Sequence, residues 1–408
     1  MNASKIGLWL IGARGGVATT AITGLAALRR GRIDETGLVS ALPKWKDLPF
    51  PAWDEFLVGG HEIRDVSLFD EAMSLATRSR AFDADLVREL REEYEAIDGR
   101  IRPGMLYGVG STIESLASPG IPRGTAAEDL RRVQEDLCAF HDDNELDHVV
   151  VVNVASTEPP VDVEGLPKTW KETMTVLESA DCPLPASSLY AIAALDLGLS
   201  FVNFTPSLGC VPAGIDELAN LRKTRHMGRD GKTGETLMKS VLAPMFHDRN
   251  LHVMSWVGHN IFGNLDGKVL DDPKNKATKV ASKDRLLGEI LEYAPQTLVS
   301  IEYIESMGDW KTAWDHIHFR GFLGTPMQLQ FTWQGCDSLL AAPLVLDLAR
   351  FAELARRRGQ VGRMDFLASF FKSPDGATEQ GFIRQYRALE TFCDEETPRK
   401  GPKMDREA

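Results

Sequence analysis

The chain has few cysteines, and none of them forms a recognisable metal or disulfide pattern. Its 408 residues include five cysteines, which are far apart in the sequence and contain no Cys-x-x-Cys pair. A disulfide framework or a cysteine zinc site is therefore not expected, and the pattern favours a reducing compartment. The nine histidines form no His-x-x-x-His pair of the kind that places two metal ligands on one helix face.

Long apolar runs and an excess of positive charge are also absent. Runs such as Val149–Val152 and Leu339–Leu346 are far shorter than the roughly 20 residues that span a bilayer. The first apolar run begins at Ile6 without a signal-peptide layout. The 46 lysines and arginines face 59 acidic residues, a net charge of −13 that repels nucleic acid and anionic membranes. We expect a cytoplasmic protein without nucleic-acid or membrane partners, in which a local basic site can still bind an anionic small molecule.

What the sequence does contain is an alternation of strand and helix patterns. Ile6–Ile11 is typical of a strand, Gly12–Gly16 of a turn, and Val17–Arg30 of a helix. The valine run Val149–Val154 is typical of a strand that is buried on both faces of a parallel sheet. Amphipathic helices are predicted at Ala81–Ile97 and Thr125–Asn144. The alternation predicts an α/β, doubly wound, Rossmann-like domain.

The middle of the chain has a different pattern. Leu251–Trp256 and Thr297–Ile304 are predicted strands, and Met327–Trp333 alternates apolar with polar residues. Such alternation favours an antiparallel, partly solvated sheet. We therefore predict a discontinuous Rossmann-like domain with an inserted α+β domain for catalysis and oligomerisation. The predicted boundaries are 1–236 plus 339–408 for the first domain and 237–338 for the second.

The glycine-containing segment Gly12–Val17 directly follows the first predicted strand. Glycines at this position let backbone amides approach a pyrophosphate at a helix N-terminus, so the segment favours a nucleotide site. It is not a strict Gly-x-Gly-x-x-Gly, and many glycine turns bind nothing. The usual acidic ribose partner is ambiguous, because Asp34 lies in a stretch typical of a solvated turn. Ser156 and Thr157 follow the valine strand and either face a cofactor or cap a turn.

Two later segments carry side chains that suit an anion. Gly228–Thr236 is typical of a loop that leads into a helix N-terminus, although an ordinary capped helix is the simpler explanation of this string alone. A lysine run follows Gly263–Gly267, and such a run is usually a solvated surface. Lys279 and Lys283 are four residues apart, which places them on one face if the segment is helical. Mutual repulsion or burial can then make one amine neutral, so that it exchanges protons.

Taken together, several segments resemble the myo-inositol-1-phosphate synthase family. In chain order they are GRDGKTGETLMKSVLAPMF, SWVGHNIFGNLDG, KATKVASK, GDWK, CDSLLAAP and FFKSP. The resemblance covers nearly the whole chain, and its central segments are the most specific. It implies the conversion of glucose 6-phosphate to inositol 1-phosphate with tightly held NAD. It also implies a homotetramer that assembles through the inserted sheet domain.

The resemblance further implies roles for individual residues. The family's four active-site lysines match Lys279, Lys283, Lys311 and Lys372, and its other active-site polar residues match Asp230, Asn264 and Asp266. Lys279 would exchange a proton at the C5 oxygen, Lys372 would serve the C1 oxygen, and Lys283 and Lys311 would serve the phosphate and the C5 oxygen. The substrate phosphate would be held by Thr233, Gly234, Glu235 and Thr236. The implied cofactor contacts are Gly12, Gly15, Gly16, Val17, Glu62, Ala155, Ser156, Thr157, Asp309, Asp337 and Ser338, with Glu62 matching an aspartate that reaches the cofactor ribose.

Three residues depart from the family pattern. Arg14 and Val17 replace small or amide residues in the glycine turn, which affects the geometry near the pyrophosphate. Glu235 stands where many members have glutamine. A carboxylate beside a phosphate repels it unless it is paired, and Lys232 or a metal ion are the candidate partners.

The sequence leaves the cation and the substrate open. Some family members use a divalent cation and others a monovalent one, and Asp266 and Asp337 are candidates to hold such an ion. The alternatives to the leading interpretation are a related NAD-dependent cyclase for another sugar phosphate, a simple dehydrogenase, and a catalytically silent NAD-binding regulatory protein. The four matching lysines argue against the last, because a binding module does not need them.

Overall fold

A computed structural model of the chain describes residues 4–263 and 286–395 and arranges them around two β-sheets. The strands of the first sheet are β1 (Ile6–Ile11), β2 (Phe56–Glu62), β3 (Ile101–Pro103), β4 (His148–Asn153), β5 (Ser200–Asn203), β6 (Arg225–Gly228) and β11 (Gly362–Arg363). All neighbouring strands are parallel, and their spatial order is β11-β6-β5-β4-β1-β2-β3. The strand order turns back between β1 and β4, so the predicted Rossmann-like α/β class is confirmed.

Helices cover both faces of this sheet. The α-helices are α1 (Gly16–Arg29), α2 (Leu68–Ser74), α3 (Ala84–Glu89), α4 (Arg91–Asp98), α5 (Ser111–Glu114), α6 (Ala126–Asp143), α7 (Trp170–Leu177), α8 (Ala186–Asp196), α9 (Ala213–Leu221), α10 (Gly234–Asp248), α11 (Asp337–Arg357) and α12 (Phe382–Asp394). Residues 286–291 are also helical. Shorter pieces are the 3₁₀ turns Val39–Ala41, Pro43–Trp45, Trp53–Glu55, Glu305–Met307, Phe322–Gly324 and Asp365–Phe370, and the π-helical turn Leu75–Ser79.

The core is divided by the first sheet into two apolar layers. Leu8 and Leu10 of β1 pack with α1 and α11, whereas Trp9 and Ile11 face the layer built with α6 and α8. Strand β4 is buried at every position, which confirms the prediction made from its valine run. Because helices cover both faces, a ligand reaches this sheet at the ends of its strands.

Two predicted helices have different outcomes. The helix predicted at Thr125–Asn144 is confirmed as α6, and Thr125 caps it by accepting a hydrogen bond from the backbone N–H of Glu128. The single helix predicted at Ala81–Ile97 is wrong, because α3 ends at Glu89 and α4 begins at Arg91. The break at Leu90 lets both short helices contribute buried side chains to the same core.

The second sheet contains β7 (His252–Phe262), β8 (Gln296–Tyr303), β9 (Trp310–Arg320) and β10 (Pro326–Cys336), in the order β10-β9-β7-β8. Strand β9 is antiparallel to β7 and to β10, as expected. The expectation of an antiparallel sheet is wrong for β7 and β8, which are parallel. The long connection 263–295 makes this possible, because a parallel pair requires a crossover rather than a tight hairpin.

The two faces of the second sheet have different environments. On the inner face, Trp256 and Ile317 pack against Phe246 of α10 and against the helical residues 286–291. On the opposite face, Ile261, Leu298 and Trp314 are exposed, and we call this the open sheet face. No helix in the part of the chain that the structure covers is long and apolar enough to cross a membrane. The predicted domain boundaries stay a prediction.

Candidate active site

The candidate site begins where the first sheet's strand order turns back. Ile11 of β1 lies beside Asn153 of β4, and the backbone N–H of Val154 donates to the Ile11 carbonyl oxygen at 3.1 Å. Gly12 has φ +80°, and a Cβ at Gly12 would stand 2.8 Å from the Cα of Ala155. The glycine turn and the predicted contacts Ala155, Ser156 and Thr157 therefore lie together at the strand ends, where open α/β sheets bind ligands.

Two helix N-termini meet above this turn. Helix α1 begins at Gly16 and α11 begins at Asp337. A Cβ at Gly16 would stand only 2.7 Å from the Ser338 hydroxyl oxygen, so a larger residue would fill the gap between the two helices. The N–H groups in the first turn of α1 have no partner within their own helix, and the positive end of that helix dipole faces this gap. At the start of α11, the N–H groups of Asp337 and Ser338 donate to Asp309. The arrangement fits the pyrophosphate of a dinucleotide.

The glycine turn is attached to the end of β2. The backbone N–H groups of Gly12 and Ala13 donate to the His61 carbonyl oxygen at 2.9 and 3.0 Å. The N–H of Arg14 donates to the Glu62 carboxylate at 2.9 Å. The start of α1 is therefore the part of this segment whose N–H groups would face a phosphate. Glu62 lies at the strand end where a ribose contact is expected, and that role stays a prediction.

The Arg14 side chain points away from the gap between α1 and α11, where we expect the pyrophosphate. Its Nε lies 2.8 Å from Asp98 Oδ1, and its guanidinium also donates to the Arg64 carbonyl oxygen at 3.2 Å. The guanidinium lines a cavity of about 460 Å³ together with Asp70 and Glu71. Arg14 therefore departs from the family pattern without placing its charge between α1 and α11.

Asp309 connects the cofactor side of the site to the second sheet. Its Oδ2 accepts hydrogen bonds from the Ser338 backbone N–H at 2.9 Å and from the Cys336 thiol at 2.8 Å. Its own backbone N–H donates to the Ser79 hydroxyl at 3.0 Å. Burial raises the pKa of Asp309 and raises the pKa of Cys336 to about 12, so this cysteine stays a thiol. Ser79 is a site residue that the sequence analysis missed, and its π-helical turn has no clear sequence signal.

The opposite side of the site is built on a short backbone ladder between residues 228–232 and 370–375, which we call the site ladder. Arg229 and Ser373 exchange backbone hydrogen bonds of 3.1 and 3.2 Å. The N–H of Lys372 donates to the Asp230 carbonyl oxygen at 2.6 Å. The ladder thus joins the end of β6 to a segment that lies far away in the sequence.

This ladder brings together two of the predicted catalytic residues. Lys372 Nζ lies 2.9 Å from Asp230 Oδ1, and both side chains are partly exposed. The carboxylate orients the ammonium group, which is a donor of hydrogen bonds only. A preorganised cation of this kind stabilises negative charge that develops on oxygen during a reaction.

The predicted phosphate loop forms the start of α10. Thr233 precedes the helix, Gly234 begins it with φ +56°, and Thr236 lies in its first turn. Gly234 faces the indole of Trp333 on β10, since a Cβ at Gly234 would stand 3.6 Å from its Nε1. First-turn N–H groups and two threonine hydroxyls suit a phosphate, and this assignment stays a prediction.

The structure corrects the expected partner of Glu235. Its Oε1 lies 2.7 Å from Nζ of Lys239, with the two side chains 2% and 1% exposed. Lys232 is not the partner, because its Nζ donates to Gln385. A Cβ at Gly258 would stand 2.8 Å from Glu235 Oε1, so the carboxylate is turned toward the second sheet. The ammonium group one helical turn later balances its charge, and the four-residue spacing of this pair was visible in the sequence.

The inner face of the second sheet adds further polar groups. Lys311 Nζ lies 5.1 Å from the centroid of the Phe262 ring. Asp315 accepts a hydrogen bond from Trp256 Nε1 at 2.7 Å. Asn260 is fully buried, and neither atom of its side-chain amide has a hydrogen-bond partner among residues 4–263 and 286–395. The sequence analysis missed Asn260, although a polar residue at an inward position of an alternating strand is a usable signal.

Several predictions cannot be placed on this geometry. Asn264, Asp266, Lys279 and Lys283 lie outside the described residues. Over the ranges that are described, no group of three His, Cys, Asp or Glu side chains could hold a metal ion. The identity of the cation, and whether one is required, therefore stays open.

Comparisons with known proteins identify the family of the chain. The profile of the myo-inositol-1-phosphate synthase family matches residues 6–393. The chain belongs to this family. It is 32% identical over 404 residues to inositol-3-phosphate synthase 1 of Bacteroides thetaiotaomicron, covering 91% of this chain and 89% of that protein.

Two further comparisons concern a plant protein and a crystal structure. The inositol-3-phosphate synthase of Mesembryanthemum crystallinum is 32% identical over 323 residues, which cover 76% of this synthase-family chain and 61% of the plant protein. The crystal structure of inositol-3-phosphate synthase from Caenorhabditis elegans matches with a TM-score of 0.86 at 25% identity. That match covers 96% of this chain and 86% of the other, so the two folds agree over both sheets.

The buried Glu235–Lys239 pair provides a direct test of the site's electrostatics. Lys239→Met removes the ammonium beside a buried carboxylate, and we expect the free energy of unfolding to fall by about 3 kcal/mol. The double variant Glu235→Gln/Lys239→Met removes both charges and should recover most of this loss. Denaturant unfolding followed by circular dichroism measures both effects. Equal stability of the single and double variants would contradict the pairing.

Proposed function

We propose that this synthase-family chain is an NAD-dependent cyclase that converts D-glucose 6-phosphate to 1L-myo-inositol 1-phosphate. The observation that carries the proposal is the Lys372–Asp230 pair, because Asp230 lies on the same short loop as a helix start suited to phosphate. The route consists of oxidation at C5, loss of a C6 proton to give an enolate, attack of C6 on the C1 aldehyde, and reduction at C5. The net reaction is an isomerisation.

The cofactor side provides a place for tight binding. NAD, when bound, accepts a hydride from C5 and later returns it. The start of α1 at Gly16 and Val17 would hold its pyrophosphate, with the Ser338 hydroxyl beside it. Asp309 fixes the start of α11 through the Ser338 N–H, so the two helix ends keep their spacing. Tight binding matters because the same cofactor molecule must serve both redox steps.

The substrate side needs positive charge at two places. The first turn of α10 would bind the 6-phosphate through the N–H groups and hydroxyls of Thr233 and Thr236. Glu235 does not oppose this with an unbalanced charge, because Lys239 is its ion-pair partner. A helix N-terminus at the phosphate fixes one end of the sugar, so that C1 and C6 can be brought together.

The reacting oxygens need cations as charge develops. We assign Lys372 to the C1 oxygen, where its ammonium group stabilises the alkoxide formed in the aldol step and Asp230 keeps it oriented. We assign Lys311 and Lys283 to the phosphate and the C5 oxygen, and Lys279 to proton exchange at the C5 oxygen. No Schiff base is needed, because the C5 ketone already acidifies the C6 protons.

The main alternative is a related cyclase that acts on a different sugar phosphate. The replacement of glutamine by Glu235 is the observation that favours it. The ion pair with Lys239 weakens this argument, because the carboxylate is balanced and faces the second sheet. A cytoplasmic location is part of the proposal, since all five cysteines are unpaired as in a reducing compartment.

Incubation with NAD and glucose 6-phosphate should produce an inositol monophosphate. Phosphorus NMR identifies the product, and absorbance should show no net accumulation of NADH, because the cofactor is regenerated. The reaction is run with and without a divalent cation. Accumulating NADH would instead indicate a simple dehydrogenase. The absence of an inositol monophosphate under both conditions would reject the substrate assignment.

The two lysines assigned to proton exchange and to the C1 oxygen can be tested separately from cofactor binding. Lys279→Ala and Lys372→Ala should each lower kcat by at least about 10²-fold, since each removes a cation from the reacting oxygens. NAD affinity, measured by calorimetry, should stay unchanged. Lys44→Ala is the matched control, because Lys44 is exposed and pairs with Glu390 away from the site. Near-normal turnover in either active-site variant would overturn the role assigned to that lysine.

We also propose that the chain forms a homotetramer through its second sheet. The open sheet face exposes Ile261, Leu298 and Trp314. The turn between β9 and β10 adds Phe322 and Leu323, which are almost fully exposed. Clustered exposed apolar side chains are typical of a protein interface.

Light scattering coupled to size-exclusion chromatography tests this assembly. The wild-type chain should elute as a tetramer, and Leu298→Glu should give smaller species because it introduces a charge into the interface. Leu221→Glu is the matched control, since Leu221 is an exposed leucine at the end of α9 beside the first sheet. A monomeric wild-type chain, or Leu298→Glu that remains tetrameric, would contradict the proposal.

A further inference from the structure

One lysine of the loop between β6 and α10 has no part in the proposed chemistry. Lys232 lies between Asp230 and Thr233, both of which are assigned to the substrate. Its side chain is only 3% exposed, and its Nζ donates to the Oε1 of Gln385 on α12. The amine therefore points away from the substrate and into the space between the loop and the last helix.

Lys232 joins three parts of the structure. Its backbone N–H donates to the Phe370 carbonyl oxygen at 2.7 Å, and this hydrogen bond forms one end of the site ladder. Its side chain reaches Gln385, which is also buried and lies in the first turn of α12. The Gln385 amide in turn donates to the Glu379 carbonyl oxygen at 2.6 Å, so the receiving group is itself held in place.

Stability alone does not account for an amine at this position. Burial lowers the pKa of Lys232 to about 7, and the charge of Glu379 only partly opposes this effect. A methionine would occupy a similar volume without the cost of removing an amine from water. The hydrogen bond to Gln385 does what a methionine could not do, because it fixes the direction and the distance of the loop relative to α12.

We propose that Lys232 is a positioning residue, whose hydrogen bond to Gln385 holds the loop from Asp230 to Thr233 against α12. The inference rests on the proposed function, because it explains how that function's Asp230–Lys372 pair and phosphate loop keep their relative positions. The two groups lie on either side of Lys232, so a shift of the loop moves both. Reacting groups lose efficiency when they are misplaced by about 1 Å.

The test removes the hydrogen bond from either end. Lys232→Met and Gln385→Met should each lower kcat for glucose 6-phosphate by at least about tenfold, with NAD affinity unchanged. The double variant should lose no more than the larger single loss, because both changes remove the same interaction. Gln385→Glu keeps an acceptor oxygen for Lys232 but loses the donor to Glu379, so it should retain more turnover than Gln385→Met. A purely packing role would make Gln385→Glu at least as harmful as Gln385→Met.

A second measurement does not depend on turnover. Amide hydrogen exchange followed by mass spectrometry should show faster exchange in segments 228–236 and 370–375 of Lys232→Met and Gln385→Met. Lys44→Met is the matched control, because Lys44 also contacts α12, through Glu390, but away from the site ladder. Wild-type exchange in both segments of Lys232→Met and Gln385→Met would overturn the inference. An inactive wild-type chain with the expected exchange pattern would instead overturn only the proposed function.

Discussion

The candidate site depends on the backbone ladder between residues 228–232 and 370–375. Asp230 and Lys372 are 142 residues apart in the chain, and this ladder places their side chains within hydrogen-bonding distance. Asp230 adopts φ +62°, a conformation that costs free energy in a residue with a side chain and persists only when the surrounding structure requires it. The ladder holds Asp230 in this conformation, because its hydrogen bonds involve the backbone groups on both sides of that residue.

The buried carboxylate of the proposed phosphate loop has a cation as its partner. Glu235 is balanced by Lys239, so a phosphate at the proposed loop would meet a helix N-terminus without an opposing carboxylate charge beside it. The Lys372 ammonium is oriented by Asp230 and remains partly exposed. A chain with a net charge of −13 can therefore hold a phosphorylated sugar, because local geometry outweighs the overall charge at short range.

The cofactor side and the substrate side share one hydrogen-bonded connection. Asp309 accepts from Ser338 at the start of α11, while its backbone N–H donates to Ser79 beside the first sheet. Lys311 follows two residues later on β9, where it lies over Phe262 on the inner sheet face. The start of α11, on the proposed cofactor side, is thus connected through Asp309 to Lys311, which we assign to the substrate.

The sequence by itself determined the parts of this protein that depend on local patterns. Strand β1, the glycine turn, the doubly buried strand β4 and the Rossmann-like class follow from apolar periodicity and from glycines that permit a close approach. The tertiary structure decided the parts that depend on which distant segments meet. It made β7 and β8 parallel, brought Lys232 to Gln385 rather than to Glu235, and brought Ser79 to Asp309. Periodicity reports whether a residue is buried, but hydrogen bonds and ion pairs form between particular atoms, and only the packed chain determines which atoms are neighbours.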